Sequence, residues 1–116
     1  MLPLLLSDYT MVTALGSGRE ANLQALRAER SGLAPCRFET VDLDTWVGEV
    51  AGLDDIVLDP ALASFDCRNN RLALATLRAD GFDRSVARAV QRHGAQRIGV
   101  FIGTSTSGIL QTELAY

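Results

Sequence analysis

Short apolar runs alternate with amphipathic stretches along this chain, and the alternation predicts strands and helices in turn. Residues 9–15 are rich in β-branched and apolar side chains, which is typical of a strand, and Gly16 ends the run. Residues 98–102 would present apolar side chains on both faces of a strand. Such a strand is typical of the interior of a largely parallel sheet covered by helices, so the pattern favours a layered α/β fold.

The first amphipathic stretch follows Gly16 and predicts a helix. Ser17 and Glu20 have the spacing of an S-x-x-E capping box, in which a hydroxyl and a carboxylate bind the free amides at a helix start. We expect this helix to run to about Arg30 and to end at Gly32. Its buried face is expected to carry Leu23 and Leu26.

Two further helices are predicted in the second half of the chain. One begins near Asp66, which can cap it, and continues until the Asp80-Gly81 pair closes it. The next begins with Asp83 as its N-cap, carries Val86 and Val90 four residues apart, and ends at Gly94. Between them and the first helix, residues 36–41 and 45–50 are candidate short strands.

Composition and charge exclude several classes of protein. The 116 residues are 47% hydrophobic and 22% charged, which is typical of one folded domain rather than a disordered chain. The net charge of -3 provides no basic surface for nucleic acid. The opening MLPLLL lacks the charged start of a signal peptide, and no apolar run reaches the ~20 residues of a membrane span. We therefore expect a cytoplasmic protein whose two cysteines are reduced thiols.

The most unusual segment is residues 97–109, RIGVFIGTSTSGI, where an apolar strand leads into a loop of glycine, threonine and serine. Such loops form ligand sites from backbone amides in α/β proteins, although capping of the next helix explains the same composition. A Walker phosphate loop is excluded because no lysine follows at the required spacing. The residues ILQTELAY that follow predict the start of another helix.

Three stretches of the chain resemble the N-terminal part of a β-ketoacyl-acyl carrier protein synthase, particularly the branch of bacterial aryl-polyene-type pathways. They are SDYTMVTALG at residues 7–16, FDCRNNRLA at residues 65–73, and RIGVFIGTSTSGI. With the intervening helices, the resemblance covers essentially all 116 residues. It implies that residues 1–116 are the N-terminal portion of one synthase domain, without an internal boundary.

The resemblance implies an incomplete thiolase-like layered α/β fold and a decarboxylative Claisen condensation. An acyl group on an active-site cysteine is joined to a malonyl unit on acyl carrier protein, in fatty acid or polyketide biosynthesis. No metal or organic cofactor is implied, because the phosphopantetheine arm arrives with the carrier protein. The expected partners are that carrier protein and a second synthase subunit, as a homodimer or heterodimer. No catalytic residue is expected within the chain, since the cysteine and two histidines of the family would follow Tyr116.

The resemblance gives the glycine, threonine and serine loop a role as a wall of the acyl pocket or subunit interface. The residues expected to line it are Thr104, Thr106, Ser107 and Gly108. Many relatives carry an aliphatic side chain where Thr106 falls, so the preferred acyl-chain length stays open.

Other reactive side chains are better explained structurally. Cys67 lies near a helix start beside Arg68, both of which can depress a thiol pKa, but a free cysteine is more often a small apolar side chain. Cys36 has no histidine nearby in sequence. The single histidine, His93, is expected at a helix C-terminus, where it can interact with the helix dipole as a cation or cap the last carbonyls.

Arginines recur on the two predicted helices of the second half and could form a docking patch for acidic carrier protein. Asp66, Asp80 and Asp83 lie among them, so a solvated face is the favoured interpretation. The arginines are Arg68, Arg71, Arg84, Arg88, Arg92 and Arg97.

Two other functions stay open. The same fold serves as a non-catalytic chain-length-factor-like subunit of a ketosynthase heterodimer, in which the nucleophile is replaced. A weaker alternative is a small α/β module that binds an anion through the amides of residues 104–107.

Overall fold

The N-terminal part of the molecule is a β-hairpin that leads directly into a helix. The computed structural model describes residues 3, 6–37, 42–99, 109 and 113–114. Strands β1 (Val12–Thr13) and β2 (Gly16–Ser17) pair antiparallel. The prediction of one strand over residues 9–15 is therefore wrong in extent. In the two-residue turn between the strands, the Leu15 amide donates to the Thr13 hydroxyl at 3.0 Å.

Helix α1 (Arg19–Arg27) ends earlier than the sequence predicts. Glu29 adopts a left-handed conformation with φ 51°, and the Glu29 and Arg30 amides donate to the carbonyls of Leu26 and Ala25. This pair of bonds is a Schellman motif with glutamate at the position that glycine usually takes. Gly32 therefore does not end the helix. Instead, the chain passes close to the first hairpin there, since a Cβ on Gly32 would lie 2.7 Å from backbone atoms of Ala14.

The buried face of α1 also differs from the prediction. Leu23 and Leu26 are 40% and 65% exposed, whereas Asn22 and Ala25 are buried. The face of α1 that lies against the first hairpin is therefore the one that carries an asparagine and an alanine.

A second hairpin follows α1. Strands β3 (Leu33–Pro35) and β4 (Trp46–Gly48) pair antiparallel, with Leu33 opposite Gly48 and Pro35 opposite Trp46. The predicted strand at 45–50 is confirmed for its middle part. The other predicted strand, 36–41, is wrong at its start, because the strand precedes Cys36, and residues 38–41 lie outside the described residues.

Helices α2 (Arg68–Arg78) and α3 (Phe82–His93) agree with the predicted helices to within two residues. A 3-10 turn, Ala79–Gly81, joins them, with Asp80 at φ 55° and Gly81 at φ 69°. Gly94, at φ 84°, ends α3 as predicted.

The predicted caps of these helices are wrong. The N-cap of α2 is Cys67, whose side chain makes no capping hydrogen bond, and that of α3 is Gly81, which has no side chain. The Asp66 carboxylate instead accepts two hydrogen bonds from Arg71, at 2.6 and 2.8 Å. Asp83 accepts the adjacent Arg84 amide at 2.7 Å.

The described residues form a mixed α/β structure with two small two-stranded sheets and three α-helices. Among them, the only buried hydrophobic residues are Ala25 and Leu53. Ile98 is extended but belongs to no strand, and residues 100–102 of the predicted interior strand lie outside the described residues. None of the helices among the described residues combines the length and the apolar character that a membrane span requires.

Candidate functional site

The residues that the resemblance assigns to a pocket wall, Thr104, Thr106, Ser107 and Gly108, lie outside the described residues. Beyond them, Ile109, Glu113 and Leu114 are helical, in agreement with the helix predicted to follow the loop. The site formed by the described residues is a different one, centred on Arg19.

Arg19 lies between two carboxylates from distant parts of the chain. Its Nη1 donates to Asp8 Oδ1 at 2.8 Å, and its Nε lies 3.5 Å from Asp80 Oδ2. The guanidinium carbon is 5.3 Å from the centre of the Tyr9 ring, within the range of a cation–π contact. We call Asp8, Arg19 and Asp80 the Arg19 cluster.

Asp80 performs the capping role that the sequence assigned to Ser17. Its Oδ2 accepts the backbone amide of Arg19, the first residue of α1, at 2.9 Å. The N-cap of α1 is Gly18, which has no side chain to offer. A carboxylate at this place satisfies an otherwise free amide and faces the positive end of the helix dipole. The predicted capping box is therefore wrong, and the cap comes from 61 residues away.

Hydroxyl groups extend the Arg19 cluster on both sides. The Thr10 hydroxyl donates to Asp80 Oδ2 at 3.0 Å. Ser85 donates to the Asp8 carboxylate, while the Ser85 Oγ accepts from Arg88 Nη2 at 2.9 Å. The hydrogen bond from Ser85, with help from the Tyr9 amide and Arg19, lowers the pKa of Asp8. The cluster therefore joins the first hairpin, α1 and the start of α3 while Asp8 stays ionised.

Asn22 is the buried polar residue among those described, with 3% of its surface exposed. Its side-chain nitrogen donates to the carbonyls of Gly16 at 2.9 Å and Gly18 at 2.7 Å, and its oxygen accepts from the Thr13 hydroxyl. All its polar atoms are thus occupied in holding the hairpin against α1. None is directed to a ligand.

Two apolar recesses flank the first hairpin. One, of about 340 Å³, lies between the hairpin and residues 49–56, and Ala75 of α2 closes it. The other, of about 490 Å³, lies between the hairpin, α1 and the start of β3. Neither has a titratable group positioned for catalysis, since Glu49, the one acid on their walls, is directed to Arg68. The recesses are suited to receive apolar side chains.

The cysteines and the histidine lie where the structural interpretation predicts. Cys67 is the N-cap of α2, and both it and Cys36 are free and half-buried. His93 is the exposed last residue of α3. Within the described residues, no three histidine, cysteine or acidic side chains come together in a way that could hold a metal ion.

Arg71 and Arg68 form the other charged group, at the start of α2. The pKa of Arg71 is raised and that of Asp66 lowered, chiefly by the two hydrogen bonds between them. Arg68 reaches Glu49 at 3.6 Å and Asp54 at 3.7 Å. These ion pairs tie the segment before α2 to its first turn, and because they are exposed each adds little to stability.

Comparisons with known proteins gave no match to a family model, to a curated protein or to a solved structure.

The members of the Arg19 cluster could not be found from the sequence. Asp8, Arg19 and Asp80 are separated by up to 72 residues, and each has an ordinary surface role when considered alone. One signal was present: aspartate before glycine at a helix end favours the left-handed conformation, which Asp80 adopts. The Asp80 carboxylate accepts its hydrogen bonds from Thr10 and Arg19, in the first part of the chain.

Proposed function

We propose that this chain is the N-terminal portion of a 3-oxoacyl-acyl carrier protein synthase, an acyltransferase that extends an acyl thioester with a malonyl unit. The observation that carries the proposal is the presence of three synthase-like stretches in the family's order: residues 7–16, 65–73 and 97–109. In the proposed enzyme they belong to a thiolase-like fold.

The extent of exposed surface supports a role as part of a larger folded unit. The chain exposes 9992 Å², whereas a folded monomer of 12.5 kDa exposes about 6,200 Å². Its radius of gyration is 17.1 Å, against about 13 Å for a compact domain of this length. Large apolar side chains such as Leu6 and Val57 are 74% and 77% exposed. In the proposed synthase, the remaining layers of the fold cover these surfaces.

In the proposed synthase, the chain supplies structure and a pocket wall rather than the reacting groups. Thr104, Thr106, Ser107 and Gly108 line the acyl pocket or the subunit interface. The nucleophilic cysteine and the two histidines that stabilise the enolate follow Tyr116. The nucleophile needs a helix N-terminus to lower its thiol pKa, and the thioester carbonyl needs oxyanion donors.

The first test is the coding sequence beyond the codon for Tyr116. We expect an open frame that encodes a cysteine at a strand-to-helix turn, followed by two histidines. Another residue in place of the cysteine would indicate the chain-length-factor-like subunit instead. A stop codon directly after Tyr116 would contradict the proposal that these residues belong to a complete synthase.

The second test uses the protein encoded by that whole frame. Thr106→Leu should shorten the longest acyl primer accepted, because a larger side chain fills the pocket, while malonyl decarboxylation continues. Ser64→Leu, on an exposed 3-10 turn, is the control and should leave primer length unchanged. An identical primer range for Thr106→Leu and the unmodified protein would remove Thr106 from the pocket wall.

A further inference from the structure

Acidic and basic side chains are segregated between the middle of the chain and its later part. Residues 42–59 contain six acidic and no basic side chains, whereas residues 84–97 contain four arginines and no acidic side chain. Blocks of opposite sign on one polypeptide create surfaces that attract each other.

The positive surface is on α3. Arg84, Arg88 and Arg92 are exposed and follow one another at intervals of four residues, so they lie on one side of the helix with a rise of about 6 Å between neighbours. Among the described residues, no carboxylate lies within 4.0 Å of any of the three guanidinium groups. Arg68 and Arg71 on α2, by contrast, are paired within the chain. We call the three α3 residues the arginine stripe.

The complementary surface precedes β4. Asp42 and Asp44 are exposed on either side of Leu43 and form no ion pair among the described residues. Two residues of chain span at most ~7 Å, which matches the ~6 Å between neighbouring arginines of the stripe. Leu43 and Trp46 are 57% and 64% exposed. Guanidinium groups bind carboxylates through two hydrogen bonds and stack on tryptophan, so this acidic segment, residues 42–46, suits the stripe in charge, spacing and aromatic character.

We propose that the arginine stripe of one copy of this chain binds the acidic segment of a second copy. Both surfaces are exposed within one chain, so neither satisfies the other intramolecularly. A second copy brings the complementary charges together and covers Leu43 and Trp46, the kind of apolar and aromatic anchor that stabilises an interface. The inference goes beyond the proposed function and does not depend on it.

Charge reversal on each surface tests the proposal. The stripe variant is Arg84→Glu/Arg88→Glu, the acidic-segment variant is Asp42→Arg/Asp44→Arg, and circular dichroism establishes that each is folded. The control variant, Arg27→Glu/Arg37→Glu, makes the same change in net charge as the stripe variant, at two exposed arginines outside the stripe. Sedimentation velocity at roughly 0.1 M and roughly 1 M salt compares conditions in which the Debye length is about 10 Å and about 3 Å.

The expected result is self-association of the unmodified chain and of the control at low salt, weakened at high salt. Each reversed variant alone should show a dissociation constant at least ~10-fold higher, and an equimolar mixture of the two should associate again. An unmodified chain that is monomeric at low salt, association that persists at high salt, or folded variants whose mixture does not associate would each overturn the proposal.

Discussion

The two hairpins of this molecule both have short strands, of two and three residues, but they differ in how they are supported. The first, β1–β2, is held by the buried Asn22 and lies next to the Arg19 cluster, which contains contacts across 61 residues of chain. The second, β3–β4, has its own short backbone ladder, with Leu33 and Trp46 55% and 64% exposed. An isolated hairpin is marginally stable in water. The difference shows that specific polar contacts, rather than apolar burial, organise the best-supported part of this chain.

The largest effect is expected from Asn22→Leu, which removes the polar group that supports the first hairpin. It leaves the partly buried Gly16 carbonyl without this donor, at roughly 1–3 kcal/mol for an unsatisfied group, and leaves the Gly18 carbonyl only the backbone amide of residue 22 at 3.3 Å. Urea denaturation should show this loss of unfolding free energy. The control is Gln24→Leu, which removes only the exposed bond to Glu20. Equal losses for both variants would contradict the role given to Asn22.

The next effect is expected at Asp80. Asp80→Ala removes the cap of α1 and places alanine in a left-handed conformation, so we expect a loss of roughly 2 kcal/mol. Asp80→Asn keeps the conformation and an acceptor oxygen and should cost less than half as much. Thermal unfolding compares the two. If asparagine costs as much as alanine, the carboxylate charge and not the cap is what stabilises the structure.

A smaller effect is expected from the approach of Gly18 to Asp80. Gly18 and Gly52 both have positive φ, 86° and 74°, but a Cβ on Gly18 would lie 2.7 Å from Asp80 Oδ1, whereas one on Gly52 meets nothing within 4 Å. Gly18→Ala should therefore lower the unfolding free energy by roughly 1 kcal/mol more than Gly52→Ala. Chemical denaturation of the two variants side by side measures the difference. Equal unfolding free energies would show that the Asp80 side chain moves aside at no measurable cost.

Acid should weaken the first hairpin's supports. The folded-state pKa of Asp8 lies below its ordinary value of 3.8, so its contribution to the unfolding free energy is complete above pH 3.8 and is lost as the pH falls through the lower, folded-state pKa. This contribution of Asp8 to stability is small because its side chain is partly exposed to solvent. The unfolding free energy should therefore fall less steeply below pH 3.8 in Asp8→Asn than in the unmodified chain. Parallel curves of unfolding free energy against pH would show that Asp8 does not contribute to the loss of stability in acid.

The smallest effect is expected in the second hairpin. Trp46→Ser removes a side chain that is 64% exposed, so the unfolding free energy of the dilute, dissociated chain should change by less than ~0.5 kcal/mol. The measurement is urea unfolding at high salt and low protein concentration. A loss comparable with that of Asn22→Leu would mean that the two hairpins are equally supported, and the comparison between them would fail.

Local signals predicted the second half of the chain better than the first. The ends of α2 and α3, including the stop at Gly94, depend on residues within one helical turn of each other. They can therefore be predicted from a local sequence pattern. The capping box at Ser17 and the aspartate caps at Asp66 and Asp83 are equally local signals, and all three were wrong. In each case the side chain or the amide had another partner in the fold.

The candidate site was predicted only in part. The hypothesis that Thr104, Thr106, Ser107 and Gly108 line a pocket depends on the resemblance of residues 97–109 and stays a prediction. The Arg19 cluster was missed because Asp8, Arg19 and Asp80 lie in three segments that are far apart in the sequence. No spacing of residue types predicts that these segments meet. Conversely, the sequence suggested one arginine-rich face, and the structure divides it into a paired group on α2 and a stripe on α3 that forms no ion pair with any described residue.

By itself, the sequence determined where the chain can be helical, where it must turn, and how its charges are distributed, because these follow from backbone propensity and composition. Only the tertiary structure decided that Asn22 is buried while Leu23 is not, and that Asp80 caps α1. Each depends on which other segment occupies a hydrogen-bonding group: the first hairpin for Asn22, and a turn 61 residues away for the start of α1. The free energy of such an encounter belongs to the pair of segments and not to either sequence alone.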